Sequence, residues 1–269
     1  MLKGIRYFGG KARPGLNKWI RSILPDDRSV TYVEPYAGML GILLNRPRAT
    51  TEIANDLNGR IVNWWRMIRD HPDEFARRIA LTPFADDLYE EAIANLDDGS
   101  PMARAVNLHI AVSQSIMHGD GMTGGGRMRT KYVQEGRSRY TEIRSFTDCI
   151  PILADRMLGV QLLNRPALEL LERLINEDRA VIYCDPPYRD VSSHAYSVVE
   201  IDRDRMLDVL SRQSGKVAIS GYGDEWDALE WHRSEFGTTA WIPKAERMES
   251  ASRTEVLWTN YRPDQQITF

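Results

Sequence analysis

Seven short apolar runs, rich in β-branched residues, recur along this 269-residue chain, and helical periods separate several of them. The runs cover 29–36 (SVTYVEPY), 51–56 (TEIAND), 159–164 (GVQLLN), 179–185 (RAVIYCD), 216–222 (KVAISGY), 238–243 (TTAWIP) and 254–261 (TEVLWTNY). Between them, Ile61, Trp64, Trp65 and Ile68 share one helical face. So do Leu168, Leu171 and Leu174, and so do Leu207 and Leu210. Strands that alternate with helices predict an α/β fold with a parallel sheet covered on both faces. The alternation fails between about 73 and 150. There DDLYEEAIANL and PMARAVNLHIAVSQSIM read as two helices, the second with Ser100 as N-cap and Pro101 at N1. A long stretch rich in glycine and arginine follows, of the kind that is functional or disordered in a compact domain. The expected organisation is one α/β domain built from 1–72 and 150–269, with an insertion over 73–149.

Composition narrows the classes of function. Hydrophobic residues make up 42% and charged residues 27%, ordinary for a globular chain. No apolar run reaches the length of a membrane span, and MLKGIRYFGGKARPG lacks the apolar centre of a secretory signal. Only Cys149 and Cys184 are present, which excludes a disulfide framework and a four-cysteine metal site. A reducing, cytoplasmic setting follows. His109, His118 and His194 have no paired ligand spacing, so no metal is expected. The net charge of −3 argues against a nucleic-acid partner only on average, because a local basic patch suffices.

Three constellations carry chemistry. In YVEPYAGMLG (32–41) a strand ends at Glu34, and Ala37, Gly38 and Gly41 follow before a helix-like ILLN. A glycine turn between strand and helix lets a ligand approach the backbone, and an acid about 20 residues further on holds a ribose in dinucleotide folds. Asp56 stands at that distance; the plain alternative is that it only caps the next helix. The G-x-G-x-x-G fingerprint of dehydrogenases is missing. In YFGGK, Tyr7, Gly9, Gly10 and Lys11 either wrap a small ligand or form a solvated arm. The third is DPPY, set at the C-terminal end of an apolar strand, where open α/β sheets bind ligands. An exocyclic amine on an aromatic base is a poor nucleophile, because its lone pair is delocalised into the ring. A carboxylate and a backbone carbonyl that accept its two N–H bonds pull the nitrogen towards tetrahedral geometry. Asp185 and the carbonyl of Pro186 supply those acceptors, Pro186 and Pro187 fix them, and Tyr188 stacks on the base. Phe8 is a second candidate for stacking.

The ordered set YFGGK, VEPYAG, NDLN, a long insertion and DPPY, closed by AISGY and RTEVLWTNY, resembles the Dam-type family of DNA adenine-N6 methyltransferases, in particular its phage and prophage branch. The resemblance covers nearly the whole chain. It implies a class I methyltransferase fold, Rossmann-like and seven-stranded, mostly parallel with one antiparallel edge strand. It also implies S-adenosyl-L-methionine as cofactor, double-stranded DNA as partner and transfer of a methyl group to adenine N6. Tyr7, Lys11, Glu34, Ala37, Gly38, Asp56 and Asp185 match cofactor-contacting positions. Asp185, Pro186, Pro187 and Tyr188 match the catalytic motif. The relatives' acid after the third strand has no counterpart, since Asn164, Arg165 and Pro166 occupy that stretch. The insertion matches the family's target-recognition region, and Arg127, Arg129, Lys131, Arg137 and Arg139 within it are suited to phosphates or guanine edges. Cytosine N4 or RNA adenine as acceptor, a non-catalytic DNA-binding descendant and an NAD-dependent oxidoreductase are the competing readings.

Overall fold

The structure is a computed structural model; it describes residues 1–5, 11, 13–115, 139–188, 201–244 and 247–263, with backbone alone for 139 and 238–253. Its centre is a seven-stranded sheet: β1 (Thr31–Glu34), β2 (Thr51–Asn55), β3 (Val160–Leu163), β4 (Ala180–Cys184), β5 (Lys216–Tyr222), β6 (His232–Lys244) and β7 (Arg247–Thr259). Each of the seven apolar runs read from the sequence yields one strand. The spatial order is β3-β2-β1-β4-β5-β7-β6. All neighbours pair in parallel except β5–β7 and β6–β7. The one antiparallel strand is thus β7, and it lies second from the edge, not at the edge as expected. A hairpin explains this: β6 takes the outer position and β7 folds back between it and β5.

Both faces of the sheet are covered because the inner strands alternate with period two. In β4, Val181 and Tyr183 enter one core, while Ile182 and Cys184 enter the other. Ala218 and Leu257 side with the first pair; Val217, Ile219, Val256 and Trp258 side with the second. The second core is closed by α8 (Ala167–Arg173) and α9 (Arg203–Ser211), through Leu170, Leu171, Met206, Val209 and Leu210.

The first core is larger. It takes α1 (Pro14–Ile23) and α2 (Gly59–Asp70), whose Ile61, Trp64, Trp65 and Ile68 are all buried as their spacing predicts. Over α2 lie α3 (Pro72–Leu81), α4 (Asp86–Ala94), α5 (Pro101–Ser113), α6 (Arg139–Thr147) and α7 (Ile150–Met157). Phe75, Ile79, Leu108 and Leu153 join Trp64 in one continuous apolar cluster. The Ser100 hydroxyl accepts from the Ala103 N–H at 3.1 Å, the expected cap of α5. By contrast ILLN forms only a short 3-10 turn, Leu43–Asn45. Leu40 before it is in the left-handed region (φ 55°), and Leu43 and Leu44 are both buried. A segment buried all round, with a reversed residue at one end and Pro47 at the other, cannot extend into an amphipathic helix.

The chain runs outwards from β1 to β2 and β3, then returns to β4 on the other side of β1. The switch point is therefore between β1 and β4. The crevice at the C-terminal ends of these two strands is where an open parallel sheet binds its ligands.

Candidate active site

Two of the three constellations meet at that crevice. β1 ends in Glu34 and leads into the glycine turn, while β4 ends in Cys184 and leads into Asp185. Lys11, from the N-terminal constellation, is brought in beside them. The turn is shaped by Gly38, whose φ of +47° suits a residue without a Cβ, and the space where a Cβ would stand is open. The Gly38 N–H donates to Asp56 Oδ2 at 2.8 Å, and the Asn58 N–H donates to Asp56 Oδ1 at 2.8 Å. The Trp65 indole donates to the Gly38 carbonyl at 3.1 Å, which ties the turn to α2. Ala37 donates its N–H to the Asn55 carbonyl at 2.8 Å.

Two asparagines that the sequence reading passed over hold this frame together, and both are fully buried. Asn55 donates to the carbonyls of Pro35 and Arg165 and accepts from the Arg165 N–H, so it joins the ends of β1, β2 and β3. Asn17 donates to the carbonyls of Lys11 and Gly41, so it ties the N-terminal constellation to the glycine turn. Its signal was present: one polar residue on the apolar face formed by Leu16, Trp19, Ile20 and Ile23. A buried polar side chain needs its hydrogen bonds satisfied, so such a position is chosen for its bonds.

The chemical centre is a cluster of four side chains. Lys11 Nζ donates to Asp185 Oδ1 at 2.7 Å and to the Tyr188 hydroxyl, and lies 3.2 Å from Glu255 Oε1. The Tyr188 hydroxyl is 2.8 Å from Asp185 Oδ1 and 2.6 Å from Glu255 Oε1. Lys11 and Glu255 are almost sealed from solvent, with side-chain exposures of 5% and 3%; Asp185 keeps 19%. Burial by itself would lower the Lys11 pKa, but the carboxylates of Asp185 and Glu255 outweigh it and hold the ammonium above its ordinary value. Burial pushes Glu255 up, against the pull of Lys11. The Tyr188 ring is buried and meets Tyr222 edge-on, with centroids 4.5 Å apart. Pro186 is buried and Pro187 half-buried beside it. Glu255 was missed by the sequence reading, although an acid within the buried run 255–259 of β7 is anomalous.

Glu34 differs from the other expected cofactor contacts. Its carboxyl turns into the protein, where it accepts the Tyr32 hydroxyl at 2.8 Å. Burial raises its pKa to about 8, only partly opposed by hydrogen bonds from Tyr32 and the Leu43 N–H and by Arg46. Asn164 donates to the carbonyls of Asp56 and Leu57, at 2.8 and 2.9 Å, and so bridges β3 to the loop before α2. Tyr7, Phe8, Arg127, Arg129, Lys131 and Arg137 lie outside the described residues, and Arg139 is described by its backbone alone, as the first residue of α6.

The residues present fit S-adenosylmethionine, the cofactor that the motif resemblance implies. Gly38 leaves the backbone open to close approach. Asp56 is held by two N–H groups, with lone pairs left over for ligand hydroxyls.

Three solved structures are similar to this chain at low identity. A precorrin-8w decarboxylase from Methanobacterium thermoautotrophicum is 10% identical over 96% of this chain and 95% of its own, with a TM-score of 0.41. A precorrin-6y C5,15-methyltransferase from Geobacter metallireducens is 9% identical over 95% and 92%, with a TM-score of 0.40. A SAM-dependent methyltransferase from Agrobacterium tumefaciens is 9% identical over 91% and 61%, with a TM-score of 0.39. No curated protein matches the sequence. The model of the D12 class N6 adenine-specific DNA methyltransferases matches residues 7–205, a span that holds the glycine turn, Asp56 and the whole DPPY motif. The chain is a class I S-adenosylmethionine-dependent methyltransferase and belongs to the D12 class N6 adenine-specific DNA methyltransferase family.

Proposed function

We propose that this enzyme methylates N6 of an adenine flipped out of double-stranded DNA, at a specific sequence. The observation that carries the reading is Asp185: a partly exposed carboxylate at the switch point of the sheet, next to the glycine turn, held on one oxygen by Lys11 and Tyr188. Asp185 and the Pro186 carbonyl accept the two N–H bonds of the target amine. This pulls its lone pair out of the ring and aims it at the cofactor. Bound there, S-adenosylmethionine supplies a methyl group on a sulfonium, so no covalent enzyme intermediate is needed. The carboxylate also stabilises the positive charge that the nitrogen gains as the bond forms; such preorganised electrostatics is usually the largest catalytic effect. Tyr188 stacks on the base once its buried ring is uncovered, a contact worth about 1–3 kcal/mol. Flipping costs a few kcal/mol, which contacts to the surrounding strands must offset. Asp56 takes the cofactor ribose, and Lys11, Ala37 and Gly38 border the cofactor, with Tyr7 as a further contact.

Residues 73–149 are assigned to target recognition, with 1–72 and 150–269 as the catalytic domain. The support is the charge pattern: Arg127, Arg129, Lys131, Arg137 and Arg139 gather in one stretch of a chain whose net charge is −3. Incubation with methyl-labelled cofactor and duplex DNA, followed by digestion to nucleosides, tests the reading. Label is expected in N6-methyladenine. Label in N4-methylcytosine, or in RNA only, would give the same site a different acceptor. A protein that binds DNA but not S-adenosylmethionine in calorimetry would be a non-catalytic descendant.

A further inference from the structure

Glu255 stands in the closing stretch RTEVLWTNY, to which the motifs assign no role. It lies where β7 begins to pair with β5, opposite Tyr222, and its side chain is 3% exposed. The next three residues of the strand are apolar and buried. A hydrophobic residue would fill such a position without the several kcal/mol needed to desolvate an acid. The contacts indicate what the acid does instead. Glu255 Oε1 accepts the Tyr188 hydroxyl at 2.6 Å and stands 3.2 Å from Lys11 Nζ. Asp185 Oδ1 engages the same two groups, at 2.8 and 2.7 Å. Two carboxylates thus share one ammonium and one hydroxyl. The inner one is closed to solvent. The outer one keeps Oδ2 without a hydrogen bond among the described residues, on a side chain still 19% exposed.

We propose that Glu255 is a positioning residue: its charge holds the Lys11 ammonium and the Tyr188 hydroxyl on Oδ1 of Asp185, so that Oδ2 stays free for the substrate amine. This rests on the reading of Asp185 as the amine-binding carboxylate. Lys11 carries three N–H donors. Deprived of Glu255, it would close on both oxygens of Asp185 and compete with the amine. Tyr188 would lose the anchor that orients its ring.

The test is Glu255→Gln, which keeps the shape and removes the charge. The expected result is a fall in kcat of about 10-fold or more, with affinities for S-adenosylmethionine and DNA, measured by calorimetry and anisotropy, changed by less than about 3-fold. Glu255→Asp, which keeps the charge, restores part of kcat. Tyr188→Phe removes only the hydroxyl link, and the double variant falls little further than either single one, because neighbours acting through one contact are not additive. In the protein without ligands, the 15N signal of the Lys11 ammonium is protected in the wild type and exchange-broadened in Glu255→Gln. Wild-type kcat in Glu255→Gln, or multiplicative effects in the double variant, would overturn the proposal. If Glu255→Gln does not fold, Tyr188→Phe decides alone: a lower kcat at unchanged cofactor affinity supports it, and wild-type kcat overturns it. A wild-type enzyme that methylates no nucleic acid defeats instead the functional reading on which it rests.

Discussion

Asp185, Glu255 and Glu34 are three acids at one crevice, and their surroundings give them three fates. Asp185 keeps a part of its carboxylate open to solvent. Asp185→Ala is expected to lower methyl transfer by about 100-fold or more, since it removes a preorganised acceptor. Calorimetry should still detect S-adenosylmethionine, because Asp56 and Gly38 remain; transfer at near wild-type rates would contradict the assigned role. Glu255 is buried but shares Lys11 with Asp185. Glu34 is buried with Tyr32 as its hydrogen-bond donor, and burial lifts its pKa from 4.5 to about 8. Between those values the folded protein holds a proton that the unfolded chain has released. Stability therefore falls as pH rises from 4.5 to 8, and levels off above that. Glu34→Gln is neutral throughout. Its Tm should drop less than that of the wild type between the two ends of this window, and equal drops would remove Glu34 as the source of the slope.

At the scale of elements, the turn after β1 shows how local conformation and ligand access are linked. Gly38 is left-handed, with open space where a Cβ would project. Gly38→Ala is expected to cost about 1–2 kcal/mol in urea unfolding, from the left-handed backbone alone. It should also weaken S-adenosylmethionine binding, since the methyl group would stand in that open space. Unchanged affinity would take Gly38 out of the cofactor site. The turn is braced from three elements at once: Asp56 after β2, Trp65 of α2 and, through Gly41, Asn17 of α1. None of these braces is adjacent to it in sequence.

Across the whole molecule, chain segments on either side of residues 73–149 are joined by a buried ion pair. Arg156 of α7 binds both oxygens of Glu52 in β2, at 2.6 and 2.8 Å, and also donates to the Leu43 carbonyl. Removing one partner strands a buried charge. Arg156→Met should therefore cost about 3–5 kcal/mol of stability in denaturant unfolding, and the double variant with Glu52→Leu should recover most of it. A double variant no better than the single one would mean that the pair contributes through shape and not through charge. The seven apolar runs and the period of α2 determined the strands and their helical cover by themselves, because a strand or helix is fixed by which side chains must leave water, and that pattern is local. The order of motifs likewise made the family legible. Only the tertiary structure decided the rest. It set β7 inside the edge, since a hairpin's position depends on which strand it returns to. It stopped ILLN at a single turn, because that segment is enclosed on all sides. It brought Glu255, near one end of the chain, against Lys11, near the other, a contact that exists only once β5 and β7 are paired and that no sequence period encodes.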